Sequence, residues 1–210
     1  LTVKIKNIFY ESNRIYGARK ICALLVLMGW RVSRKRVRRL MLIEGLGPVT
    51  FRKRVNTTDS KHDLGVFPNL LKQDFRVALP NKAWVSDFTY IPTDEGWLYL
   101  CSVIDLFNRG VVGWAVSSTI DRTLAIAALE NAVKNRKPGR GLIFHTDRGC
   151  QYASCDFRNA VSSIGGIQSM SRSGTPYDNA CAETFFKTIK VECLNRKHFE
   201  TRKADRKSVG

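Results

Sequence analysis

No stretch of this 210-residue chain approaches the roughly 18 to 20 uninterrupted apolar residues that a membrane-spanning helix needs. Its first residues also lack the basic, apolar and small-residue order of a secretory signal, so the expectation is a cytoplasmic protein. Cysteine pairing is missing too. Cys22, Cys101, Cys150, Cys155, Cys181 and Cys193 contain no CxxC spacing and have no His at zinc-finger distance, so they read as free thiols. His62, His145 and His198 are too scattered to complete a structural zinc site. Internal repeats and low-complexity tracts are absent. Acid is scarce: 18 Asp+Glu stand against 35 Lys+Arg, a formal charge of +17. A surplus of that size points to a polyanionic partner, nucleic acid first, because Lys and Arg displace counterions from phosphates.

The excess is uneven. Residues 1–62 hold 15 Lys+Arg against 3 Asp+Glu, and residues 63–210 hold 20 against 15. In the basic third, Ile21, Leu24, Leu25 and Met28 recur at helical spacing, Gly29-Trp30 interrupts, and Val32-Ser33 restarts the pattern. Ser33 suits an N-cap. The helix behind it turns Val37, Leu40 and Met41 inward, while Arg34, Lys35, Arg36, Arg38 and Arg39 crowd its remaining surface, until Gly45 or Gly47 ends it. Helix, turn, basic helix is the outline of a helix-turn-helix DNA-binding module over residues 1–47; an amphipathic helix pair with a solvated basic face is the alternative. Over 48–80 the periodicity fades into Pro48, Pro68 and Pro80, the run Arg52-Lys53-Arg54 and the polar stretch Asn56 to Asp63, which reads as a linker.

Beyond Pro80 the pattern turns to strands. Ala83–Ile91, Gly96–Leu106 and Val111–Val116 are rich in β-branched and aromatic residues and are separated by Asp94-Glu95-Gly96 and Asn108-Arg109-Gly110, an antiparallel meander. A helix with Leu124, Ala125, Ala128, Leu129 and Ala132 on one face follows. Then come a strand at Gly141–His145, a helix near Ala153–Ile164, a strand near Ile167–Met170 and a last helix from about Asp178 to Leu194. The order βββαβαβα places a mixed sheet between helices, an α/β RNase-H-like fold over 81–210.

Three acids stand where such a sheet could gather them. Asp87 interrupts the apolar and aromatic run Trp84-Val85-Ser86-Asp87-Phe88-Thr89-Tyr90, where a carboxylate costs burial energy and calls for a cation or a hydrogen-bond network. Asp147 follows Leu142-Ile143-Phe144 at the end of the fourth strand, and strand ends are where α/β sheets present their sites. Glu183 falls one turn into the last helix. Singly, each has a plain alternative: strand-edge polar residue, turn former, helix-dipole compensation. Together, three hard-oxygen donors from separate elements suit a pair of divalent ions completed by phosphate and water.

These motifs carry a resemblance. The stretches Trp84 to Tyr90, Gly96 to Phe107, His145-Thr146-Asp147-Arg148-Gly149 with Gln151-Tyr152, and Gln168 to Arg172 through Asp178-Asn179-Ala180 to Glu183 are similar to the second-frame transposases of two-frame bacterial insertion sequences. The core of that family resembles retroviral integrase and carries an Asp-Asp-Glu triad whose last two members are separated by 35 intervening residues, as Asp147 and Glu183 are here. Upstream, Tyr16-Gly17-x-Arg19-Lys20-Ile21 and Val32 to Met41 resemble the family's helix-turn-helix. The resemblance implies Asp87, Asp147 and Glu183 as catalytic metal ligands for Mg²⁺ or Mn²⁺, two ions in all. It implies cleavage at element ends followed by attack of the freed 3′-hydroxyl on a second phosphodiester. The expected partners are DNA at the element ends and the target, a homo-oligomer assembled on DNA, and an upstream-frame DNA-binding protein. Lys187 and Lys190, at i+4 and i+7 from Glu183, are expected to hold substrate phosphates. Arg148, Arg172 and Asn179 are further candidates for DNA contact, and Asp105 is a candidate for site support or a turn residue. The family continues past the last helix, so the core reads as truncated at Ser208-Val209-Gly210. Two other readings stay open: a catalytically idle DNA-binding remnant that regulates transposition, and an RNase-H-type nuclease that hydrolyses without joining.

Overall fold

The computed structural model describes residues 1–48 and 65–202. The run Arg52-Lys53-Arg54, the stretch Asn56 to Asp63 and the C-terminal Ser208-Val209-Gly210 lie outside them. The described residues fall into two compact units, the first starting at Leu1 and taking in Val191–Arg196, the second carrying the sheet. Among the described residues no helix is long and apolar enough to cross a membrane.

The first unit is three short helices, α1 (Thr2–Glu11), α2 (Ala18–Leu27) and α3 (Arg34–Ile43). Ten-residue helices are marginal alone, so their stability comes from a shared core of Ile5, Ile8, Phe9, Ile21, Leu25, Val37, Met41 and Leu46. Each such side chain contributes about 1.5–3 kcal/mol when fully buried. Ser33 caps α3 as expected, its Oγ accepting from the Arg36 amide at 3.3 Å. Gly45, at φ 63°, is the residue that ends it. The Gly45 amide donates to the Leu42 carbonyl and the Leu46 amide to that of Met41, while Leu46 packs in the same core as Met41, which is a Schellman stop with its hydrophobic contact.

The second unit is a five-stranded sheet of order β3-β2-β1-β4-β5. Strands β1 (Ala83–Thr93), β2 (Gly96–Asp105) and β3 (Val111–Ser117) form the antiparallel meander. Strands β4 (Ile143–Thr146) and β5 (Ile167–Met170) add to β1 in parallel. Because side chains alternate across a strand, β1 feeds two cores. Trp84 joins Cys101, Val103 and Phe144 under the helices α4 (Arg122–Arg136) and α6 (Cys155–Ser163). Ala83 and Val85 join Ile104, Leu106 and Ala182 on the opposite face, where α7 (Ala180–Glu192) packs. Helix α4 lies close to β3 because Gly113 has no side chain: a Cβ there would sit 2.4 Å from the Ala132 amide nitrogen.

Local details differ from the expected boundaries. The single helix expected near Ala153–Ile164 is two, α5 (Cys150–Ala153) and α6, because Ser154 adopts an extended ψ of 148° and caps α6 through its side chain. The last helix is preceded by a tighter 3-10 turn, Pro176–Asn179. Residues 65–80, within the stretch read as a linker, lie on the second unit: Leu71 is buried beside Val85 and Ile104, and the Leu70 amide donates to Ser169 Oγ at 2.9 Å.

Candidate active site

Strands β1 and β4 run parallel with Val85 opposite His145. Asp87 comes two residues on along β1 and Asp147 one residue past the end of β4, and the two lie close enough for the Asp147 charge to act on the Asp87 carboxyl. Helix α7 covers that face. Its Ala182 is buried against the Val85 cluster, and the next residue, Glu183, stands exposed in the first turn. Asp87 is half-buried, accepting from the Phe88 amide at 2.7 Å and from Asn179 Nδ2 at 3.3 Å. Asp147 accepts from the Gly149 amide at 2.9 Å, which fixes the turn into α5.

The charge in this corner is unbalanced. The Asp87 carboxyl is held far above the ordinary carboxylate range, first by burial and then by the negative charge of Asp147, with Glu183 adding to the effect; the Phe88 amide and the Lys190 ammonium oppose it. A half-buried carboxyl whose proton affinity is raised by two acidic neighbours marks a natural position for a cation. All the donors are hard carboxylate oxygens, the type Mg²⁺ and Mn²⁺ prefer. Among the described residues no group of three or more His, Cys, Asp or Glu side chains could hold a metal ion by itself. The donor set fits ions that take one or two carboxylates and complete their shells with water and substrate phosphate.

The basic residues expected to meet DNA divide. Arg34, Lys35, Arg36, Arg38 and Arg39 are all exposed on α3 around the buried Val37 and Met41. Lys187 is exposed one turn after Glu183. Lys190 is half-buried instead, its ammonium 4.4 Å from the centre of the Tyr90 ring; burial lowers its pKa and Asp87 counteracts that. The weaker candidates have protein partners: Arg148 Nε donates to the Ser171 carbonyl, Arg172 pairs with Asp178, and Asn179 reaches Asp87. Asp105 is a turn residue. Fully buried, it accepts from the Asn81 and Phe107 amides, three residues along β2 from Ser102, the partner of Asp87.

The framework behind the acids is not announced by any spacing in the sequence. His145 is fully buried and lies 3.0 Å from the Asp178 carbonyl through Nε2 and 2.8 Å from Ser169 Oγ through Nδ1. A carbonyl only accepts, so the Nε2 carries the proton and the Ser169 hydroxyl donates to Nδ1. Burial holds this imidazole neutral, its pKa down at about 4. The available signal was an imidazole inside an apolar strand, a residue that must find partners when buried.

An antiparallel meander extended by two parallel strands, with one acid inside the central strand, a second just past the end of its parallel neighbour and a third on the covering helix, defines an RNase-H-like polynucleotidyl transferase core. Residues 78–176 match the integrase core domain family, and residues 1–54 match an HTH-like domain. The chain is 43% identical over 202 residues to the transposase for insertion sequence element IS904 of Lactococcus lactis subsp. lactis, covering 96% of this chain and 80% of that protein. To transposase InsF for insertion sequence IS3A of Escherichia coli strain K12 it is 42% identical over 201 residues, covering 96% and 70%. The chain belongs to the IS3 family of insertion-sequence transposases. In fold it is similar to a chain of the simian T-cell lymphotropic virus intasome (TM-score 0.51, 19% identity, covering 80% of this chain and 54% of that one). It is equally similar to the Mos1 transposase catalytic domain, solved with Mn (TM-score 0.51, 16% identity, covering 61% and 68%).

Proposed function

We propose that this chain cuts a phosphodiester at the end of its insertion sequence and joins the freed 3′-hydroxyl to a second DNA, with Asp87, Asp147 and Glu183 as the carboxylates that hold two divalent ions, Mg²⁺ or Mn²⁺. The observation that carries this is the parallel register that brings Asp87 and Asp147 together under the helix bearing Glu183, with Asp87 driven toward its protonated form first by burial and then by its acidic neighbours. When bound, the ions supply Lewis acidity toward the attacking and leaving oxygens of an in-line displacement. The chain's own contribution is placement. Asp87 is held by Phe88 and Asn179, Asp147 by the turn at Gly149, and Glu183 closes the site from α7. Lys187 presents a cation to a substrate phosphate one turn along that helix.

Residues 1–47 act as the DNA-binding module, and residues 65–80 pack with the catalytic core that follows over 81–210. The exposed cations of α3, around an apolar stripe that fixes the helix, displace counterions from the phosphates of an element end. Joining two ends calls for more than one copy on the DNA, with a DNA-binding protein of the upstream frame as a further partner. The test is cleavage and strand transfer on a labelled duplex carrying the element's terminal repeat, comparing the chain with Asp87→Asn and Glu183→Gln. Metal-dependent activity lost in both variants supports the proposal. Specific binding that ignores metal, with no cleavage, would make the chain a DNA-binding regulator instead. Hydrolysis of RNA–DNA hybrids without joining would place it among RNase-H-type nucleases.

A further inference from the structure

Asp178 has no place in the chemistry proposed above, yet it is fully buried and its carboxylate accepts four hydrogen bonds. Gln73 Nε2 donates to Oδ1 at 2.8 Å, and Arg172 Nη2 reaches the same oxygen at 3.2 Å. The Arg172 amide and Nε donate to Oδ2 at 2.9 and 3.0 Å. Its backbone carbonyl accepts from His145 Nε2 at 3.0 Å. One residue therefore ties together β4, the loop after β5 and the segment before β1.

Those are more partners than a helix start requires, since one side-chain bond suffices to cap. The location explains the surplus. Asp178 lies in the 3-10 turn that leads into α7, the following Asn179 reaches Asp87, and Glu183 lies five residues on. His145 is two residues from Asp147 on β4. The bonds of Asp178 thus connect the element carrying Glu183 to the strand that leads into Asp147. We infer that Asp178 is a positioning residue that sets α7, and with it Glu183, against Asp87 and Asp147. This rests on the reading of those three acids as the metal-holding set.

Outer partners that orient metal-holding groups commonly change metal affinity or activity by about 10–100-fold when removed. The test uses the full chain with Asp178→Asn, Gln73→Met and Asp87→Asn in parallel. Gln73 is exposed, so its replacement removes one bond to Asp178 and leaves the core intact. Two quantities are measured: the Mn²⁺ concentration at half-maximal rise of the thermal midpoint, and single-turnover cleavage of a terminal-repeat duplex. Asp178→Asn is expected to move the Mn²⁺ midpoint up and the cleavage rate down by about 10–100-fold, with metal-free DNA affinity unchanged. Gln73→Met is expected to move both in the same directions by about threefold.

A purely structural role would lower the thermal midpoint and leave the Mn²⁺ dependence and the rate per folded molecule within about twofold of the parent. That result, in Asp178→Asn or, if that variant does not fold, in Gln73→Met, overturns the inference. If Asp87→Asn changes neither the Mn²⁺ response nor cleavage, the reading of the three acids fails, and the positioning role falls with it.

Discussion

Ser86 and Asp87 are neighbours on β1 and point to opposite faces of the sheet. On the side of α4 and α6, the Ser86 hydroxyl meets Tyr152 OH at 2.8 Å, and Cys101 Sγ lies 3.4 and 3.5 Å from the two oxygens. That triangle is buried, mutually satisfied and inert; burial pushes the Cys101 thiol up to about 12. On the side of α7, Asp87 is placed against two further acids with one half-buried lysine opposing them. The contrast separates two uses of a buried polar group. Partners of matching chemistry turn burial into rigidity, whereas partners of like charge leave a standing cost that a proton or a bound cation relieves.

The largest effect expected from breaking this contrast is on the acidic face. Asp87→Asn or Glu183→Gln should reduce cleavage by about 1,000-fold, equivalent to roughly 4 kcal/mol of lost transition-state stabilisation, in a single-turnover assay on terminal-repeat DNA. On the closed face the effects are on stability. Gly113→Ala puts a Cβ 2.6 Å from the Ala128 carbonyl oxygen as well as against Ala132, and should cost about 3 kcal/mol in urea denaturation as α4 is pushed off β3. Tyr152→Phe leaves the Ser86 hydroxyl with only a thiol neighbour, for about 2 kcal/mol, while cleavage per folded molecule is retained.

The smallest effect has the opposite sign and sharpens the comparison most. Asp87 titrates at an ordinary value of 3.8 when unfolded and well above it when folded. The folded chain therefore binds this proton more tightly, and the stability it brings is full below 3.8 and is lost as pH rises through the folded value. Asp87→Asn removes that loss. In the presence of chelator its thermal midpoint should exceed the parent's at neutral and alkaline pH, by about 2–4 °C for each kcal/mol recovered, with the difference vanishing at acid pH. Scanning calorimetry across pH measures it. A variant less stable than the parent at every pH would show that Asp87 is a satisfied structural residue like Ser86.

Much of this was legible in the linear chain because the signals are local. The Ser33 cap, the apolar stripe of Val37 and Met41, the glycine stop and the three strands of the meander each depend on residues within a few positions of one another. The acids stood out because a carboxylate in an apolar strand is costly wherever it lies. The break at Ser154 was less legible, since it turns on one ψ angle that no periodicity reports. The hub at Asp178 was not legible at all. Gln73 is 105 residues away along the chain and His145 is 33, and nothing in the spacing of polar residues reveals which of them meet. Lys190 is a similar case: helical spacing puts it near Glu183, and only the fold brings its ammonium over the ring of Tyr90 on β1.

By itself the sequence determined the two-part plan, the strand and helix order, the basic character of α3 and the placing of an acid inside an apolar strand, because these follow from side-chain period, local capping and the cost of burying charge. Only the tertiary structure decided that β4 pairs in parallel with β1 in the register that brings Asp87 and Asp147 together, and that segments far apart in the chain converge on Asp178. Register and long-range hydrogen bonds are properties of two segments at once, and the free energy that selects them exists only after both have been brought together.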